Sequence, residues 1–138
     1  WAVIAHGYVR ATADIDFMAR LDKENLERLA AALSELNARL RGVDADKLGI
    51  DPTDSSTLES GASFTMETDA GPLDFLNDVP GADDYDQLRS RALKANAGGI
   101  AVWVVDYDDL ISMKKASGRA QDLLDIQELQ AKRELPGQ

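Results

Sequence analysis

Seven consecutive residues, Thr12 to Met18, alternate in character, and this constrains the fold more than any other stretch of the chain. Successive side chains of a β-strand point to opposite faces. Ala13, Ile15 and Phe17 therefore share one face, while Thr12, Asp14, Asp16 and Met18 share the other. A strand with an apolar face and an acidic face is half buried, so it needs neighbouring strands and a covering layer.

The covering layer is legible next. Asp22 suits the N-cap of a helix whose Leu26, Leu29, Leu33, Leu36 and Leu40 recur every three or four residues, with Leu21 placed to staple onto Leu26 and Gly42 closing it. Before the strand, Trp1 to Ala5 reads as the last turns of a buried helix stopped at His6-Gly7. The stretch from Val43 to Ser60 is rich in Asp, Ser, Thr, Gly and Pro and reads as a long surface loop with at most a short helix. A hairpin follows: Ser63 to Thr68, a turn at Asp69-Ala70-Gly71-Pro72, and a return strand from Leu73 to Leu76.

Pro80-Gly81 precedes a short helix from Tyr85 to Leu93, and Gly98-Gly99 leads into Ile100 to Val105, which has the length and apolarity of a buried strand added to the sheet. Helices over Asp108 to Ala116 and Ala120 to Arg133 are separated by Ser117-Gly118 and stopped by Pro136-Gly137. Trp103 and the leucine stripe are expected in the core. The order α-β-α-β-β-α-β-α-α predicts an α+β fold, with helices packed on a small mixed β-sheet.

The length of 138 residues fits one domain over 1–138, with 1–79 as its core and 80–138 as a C-terminal strand and helices. Trp1 lies in an apolar run without a preceding Met, which predicts an element begun upstream. The net charge of -10 argues against nonspecific binding of nucleic-acid phosphates. With no cysteine there is no disulfide, thiolate ligand or thiol nucleophile, and a reducing, cytoplasmic location is the default expectation. No apolar run approaches the roughly 20 residues that span a bilayer.

Asp-x-Asp occurs four times, at Asp14/Asp16, Asp44/Asp46, Asp84/Asp86 and Asp106/Asp108. The second lies in a polar loop, and the last two lie where helices begin and acids favour the positive end of the dipole. Only Asp14 and Asp16 sit in an alternating strand. Residues i and i+2 of a strand are roughly 6.5 Å apart, so their carboxylates can converge on one cation or flank two metals about 4 Å apart. Magnesium suits such a site, since it takes oxygen ligands and uses one or two carboxylates together with substrate phosphates. The plainer alternative is a solvated acidic sheet face. Asp74, between Leu73 and Phe75 on the return strand, would join the pair as metal ligand or general base if the two strands are neighbours. Three acids on one face repel one another unless a cation is present.

Together with these acids, three blocks in order resemble the nucleotidyltransferase superfamily, especially small bacterial nucleotidyltransferase toxins of the abortive-infection type. They are Ala5-His6-Gly7-Tyr8-Val9-Arg10-Ala11-Thr12-Ala13-Asp14-Ile15-Asp16, then Gly71-Pro72-Leu73-Asp74-Phe75-Leu76, and then the stretch from Asp109 through Lys114, Gly118-Arg119 and Asp122 to Ile126. The resemblance implies that Asp14, Asp16 and Asp74 bind magnesium, and that Asp74 activates an acceptor hydroxyl for attack on the α-phosphorus of a nucleoside triphosphate. It implies a catalytic, phosphate-contacting Lys114 with Asp122 as its partner or as a positioning group. The family's Gly-Gly or Gly-Ser pair, which helps hold the triphosphate, would fall before Trp1.

Arg119 either binds phosphate or ties the turn to Asp122 or Asp125, and Arg10 either touches nucleotide or RNA or pairs with a nearby carboxylate. His6 reads as a capping residue rather than a base. The expected activity is transfer of a nucleoside monophosphate to a tRNA 3′ end or a protein, by the toxin of a toxin-antitoxin pair with a cognate antitoxin. Two alternatives stay open: a degenerate, noncatalytic member acting by protein binding, and a small-molecule adenylyltransferase of the antibiotic-modifying sort.

Overall fold

A computed structural model describes residues 1–8, 14–42 and 44–135. The chain divides into two compact units, one formed by Trp1–Ala11 with Val79–Gln138 and the other by Thr12–Asp78. The architecture is α+β, with a four-stranded mixed sheet and a separate two-stranded one.

In the unit Thr12–Asp78, the strands are β1 (Ile15–Phe17), β2 (Arg39–Leu40), β3 (Phe64–Thr68) and β4 (Gly71–Phe75), in the order β1-β4-β3-β2. β1 runs parallel to β4, while β3 is antiparallel to both β4 and β2. The hairpin turn is tighter than the sequence suggests, because Gly71 and Pro72 already belong to β4 and only Asp69 and Ala70 connect the strands. The described part of the expected first strand is short, since Thr12 and Ala13 lie outside the described residues.

The apolar face of this sheet is covered by α2 (Lys23–Glu35) and α3 (Ser55–Leu58), a one-turn helix in the stretch read as loop. Leu26, Ala30, Leu33, Leu58, Phe64, Met66 and Phe75 form its core, with Phe17 stacked on Phe75 at 5.2 Å between ring centroids. Asp22 caps α2 as expected, its side chain accepting from the Asn25 N–H at 2.9 Å. The helix ends before Leu40. Asn37 takes a left-handed φ of 52°, which asparagine tolerates better than most residues, and the chain then enters β2, where Leu40 pairs with Met66. Leu40 thus reaches the same core from a strand. Ile15 and Leu21, expected to pack inward, are about half exposed.

The unit of Trp1–Ala11 and Val79–Gln138 holds α1 (Ala2–Ala5), α4 (Tyr85–Arg91), β5 (Leu93–Ala97), β6 (Ile100–Val104), α5 (Tyr107–Ser117) and α6 (Ala120–Glu134). Val3, Leu110, Ile111, Ile126 and Leu129 form its core. Ile100 to Val104 does not extend the larger sheet. Gly98 and Gly99 both have positive φ, which suits a two-residue hairpin turn, and they fold the run back antiparallel onto Leu93–Ala97. The resulting ribbon is largely exposed, and so is Trp103, at 51%; the Arg89 guanidinium lies 3.5 Å from its ring centroid, a cation–π contact. A tryptophan expected in the core is therefore a surface residue.

The end of α4 is tied to α5 by Arg91, which donates two 2.8 Å bonds to Asp109 and one of 2.7 Å to Asp83. Gly81 lies against α5, where its carbonyl accepts a 2.7 Å bond from the Ser112 hydroxyl. A Cβ there would stand 2.6 Å from the Ser112 carbonyl oxygen, on a backbone with φ +79°. No described helix is long and apolar enough to cross a membrane.

Two substitutions test these packings. Phe75→Ala, at a fully buried ring, is expected to lower unfolding free energy by about 3–5 kcal/mol. Gly81→Ala meets both a close backbone atom and an unfavourable φ, and should cost about 1–3 kcal/mol. Urea denaturation followed by circular dichroism measures both, and a midpoint shared with wild type would contradict the stated packing.

Candidate active site

The pairing of β1 with β4 sets Asp16 directly opposite Asp74, as the acid cluster requires. The same row continues across the sheet: Asp74 is opposite Thr65 on β3, and the Arg41 N–H, just past β2, donates to the Thr65 carbonyl at 2.9 Å. Alternation then puts Asp16, Asp74, Thr65 and Arg41 on the face away from the core. Asp14, two residues before Asp16, belongs to that face too.

Arg41 is the member of this group that the sequence did not disclose. Its Nη2 lies 3.3 Å from Asp74 Oδ1 and its Nη1 3.9 Å from Asp14 Oδ1. The residue was hidden because the leucine period ran through it as helix, and only the break at Asn37 brings it beside Thr65. Partial burial pushes the Asp74 carboxyl above its ordinary value. The Asp16 charge and a hydrogen bond shared with Asp16 act the same way, Asp14 adds to it, and Arg41 opposes it. An acid so placed holds a proton more readily than a free aspartate, which suits a group that must accept one.

Among the described residues, no group of three or more acidic or histidine side chains is gathered to hold a metal ion. The donors here are an adjacent carboxylate pair, Asp16 and Asp74, with Asp14 turned toward Arg41. This oxygen donor set fits magnesium, which seldom uses an all-protein cage and takes its remaining ligands from phosphates and water.

The second set of expected site residues lies in the other unit, where Lys114 and Asp122 are largely buried and Arg119 is exposed. Lys114 on α5 reaches between two acids of α6, with Nζ 3.2 Å from Asp122 Oδ1 and 2.7 Å from Asp125 Oδ2. Asp125 is fully buried and Asp122 nearly so. Arg119 donates from Nε to Asp122 Oδ2 at 2.8 Å, and Gln121 donates to Asp125 at 2.8 Å. The backbone N–H of Arg119 also donates to Asp122, closing the first turn of α6. Burial opposes ionisation of Asp122, yet hydrogen bonds from Arg119, Ser117 and Lys114 outweigh it and hold the carboxyl well below the usual range.

Arg119 thus ties the turn to Asp122, one of the two roles open to it. Lys114 joins α5 to α6 and is neither solvated nor extended toward open solvent, with 14% of its side chain exposed. His6 is the C-cap residue of α1, its backbone N–H donating to the Ala2 carbonyl, and its ring Nε2 donates to the Val105 carbonyl at 2.8 Å. Arg10 lies outside the described residues. Asp84 and Asp106 cap α4 and α5, so the last two Asp-x-Asp pairs are helix starts.

Removing Lys114 leaves a buried acid without its cation. Lys114→Met should cost about 3–5 kcal/mol in urea denaturation, and an unchanged midpoint would show that the lysine is not tied into the fold. The pH dependence has a definite sign. Since Asp122 is depressed in the folded state, its stabilisation is present above the ordinary carboxylate value and is lost as pH falls through the lower folded one. Stability should therefore drop on acidification below about pH 4, and Asp122→Asn should flatten that drop.

No family model matches the chain, and no curated protein or solved structure matches it either.

Proposed function

We propose that this protein is a magnesium-dependent nucleotidyltransferase that moves a nucleoside monophosphate from a nucleoside triphosphate to an acceptor hydroxyl. The acceptor is RNA, such as a tRNA 3′ end, or a protein, and the biological setting is the toxin of a toxin-antitoxin pair. The observation that carries this reading is the in-register placement of Asp16 on β1 beside Asp74 on β4, with Asp14 on the same strand face. Magnesium held by these carboxylates would neutralise phosphate charge near the α-phosphorus.

In this scheme Asp74 accepts the proton of the acceptor hydroxyl. The acceptor oxygen bonds to the α-phosphorus, the bond from that phosphorus to the oxygen bridging the β-phosphate breaks, and pyrophosphate leaves with the electron pair. The raised Asp74 value supports the proton-accepting role. Asp14 and Asp16 would hold the magnesium. Lys114 and Asp122 enter this proposal as the residues that hold α5 against α6, because both are engaged with each other.

A noncatalytic reading is favoured by one observation: Arg41 already partners Asp74 and Asp14, so the acids have a counter-ion without metal. Calorimetry separates the two, since nucleotide with magnesium should give heat only with a transferase. In the direct assay, the protein is incubated with labelled nucleoside triphosphates, magnesium and tRNA or total protein. Label should transfer to an acceptor, and Asp74→Asn should lower the rate about 10²–10⁴-fold. Equal labelling by an Asp14→Ala/Asp16→Ala variant would overturn the mechanism.

A further inference from the structure

The small sheet ends in an open edge. β6 is bonded to β5, and among the described residues no third strand joins the ribbon and no other element lies along β6. Its cross-strand pairs run without a bulge from Leu93–Val104 to Ala97–Ile100. Ile100 is 68% exposed, and Ala101 and Trp103 are exposed with it.

The two edges of the ribbon differ in kind. An exposed edge strand ordinarily carries a charge, a proline or a bulge, each of which blocks pairing with another chain. β5 has Lys94 in this role. β6 reads Ile100-Ala101-Val102-Trp103-Val104 and carries none of them. Such an edge, with its backbone groups in water, is a template for a further strand.

The turn says which groups are on offer. A two-residue turn closes on a hydrogen-bonded pair, so Ala97 bonds Ile100, and alternation makes Ala95–Val102 and Leu93–Val104 the next bonded pairs. The N–H and C=O groups of Ala101 and Trp103 therefore point away from β5, toward whatever lies beside β6.

We propose that β6 pairs antiparallel with β6 of a second copy of the chain, about a two-fold axis at Val102, so that two ribbons join into one continuous sheet. A two-fold contact needs a strand complementary to itself, and β6 is one. Ala101 comes opposite Trp103 of the second copy, a small side chain beside a large one, and both pairs of this kind exchange backbone hydrogen bonds. Val102 meets its own counterpart, and Ile100 meets Val104. No charge on β6 faces its like, although the chain as a whole carries -10. The apolar side formed by Leu93, Ala95, Ala97, Ile100, Val102 and Val104 becomes continuous across both copies.

Sedimentation equilibrium over a micromolar concentration series should give a mass that rises from 15.0 kDa toward twice that value. Ala101→Pro removes the outward N–H while sparing the bonds to β5, and Val102→Lys sets like charges at the axis. Each should weaken the dimer about tenfold. Ala95→Lys is the control, because it puts the same charge opposite Val102 on β5 and leaves the β6 edge as it is. Weakening confined to Ala101→Pro and Val102→Lys supports the pairing. A single-chain mass for wild type throughout, a mass that climbs past two chains without limit, or equal weakening in Ala95→Lys overturns it.

Hydrogen exchange tests the same contact without a variant. The Ala101 and Trp103 amides of wild type should exchange about tenfold more slowly where the dimer forms than in dilute protein. A dimer in which both amides exchange as fast as in the single chain would place the contact elsewhere and overturn the proposal.

Discussion

The parallel pairing of β1 with β4 is the constraint on which the candidate site depends. A parallel neighbour cannot be supplied by a tight turn, so the chain must leave β1, cross over the sheet through α2 and α3, and return through the β3–β4 hairpin. That route buries Leu26, Leu33, Leu58, Met66 and Phe75 in one core, and the core in turn sets the register. A slip of one residue would turn Phe17 and Phe75 outward and Asp16 and Asp74 inward, which neither the rings nor the carboxylates tolerate. The apolar face thus fixes where the acids stand. Their mutual repulsion is accepted because burial of the opposite face outweighs it and Arg41 relieves part of it.

The other unit is organised around a buried charge. Asp125 is fully buried, Asp122 nearly so, and Lys114 between them joins α5 to α6 across a glycine turn at Gly118. Apolar contacts among Leu110, Ile111, Ile126 and Leu129 would let two helices slide, whereas a lysine held by two carboxylates at defined distances resists it. Of these, the family resemblance carried Lys114 as a catalytic, phosphate-contacting residue and Asp122 as its partner or as a positioning group. In the folded chain they are engaged with one another, which makes them positioning residues first.

Much of this was legible in particular residues. The period of α2, its Asp22 cap, the β3–β4 hairpin and the two closing helices follow from local chemistry, because capping, turn preference and amphipathic spacing act within a few residues. So did the reading of the pairs at Asp84 and Asp106 as helix starts. Trp103 and Leu40 were misplaced for opposite reasons. Apolar content made Ile100–Val104 resemble a buried strand, while a two-glycine turn had already committed it to an exposed ribbon. A regular leucine period ran past Asn37, where a single left-handed residue stops the helix and begins β2.

The sequence by itself determined the acidic face of β1 and the buried leucine stripe of α2, because alternation and helical period are properties of consecutive residues. It therefore put Asp14 and Asp16 on one face and made Asp74 available on another strand. Only the tertiary structure decided that β1 lies beside β4 rather than β3, that Arg41 arrives two strands away to meet the acids, and that Lys114 is enclosed by Asp122 and Asp125. Each of these joins residues distant in the chain. Such pairings are selected by the packing of a whole core, which no local pattern encodes.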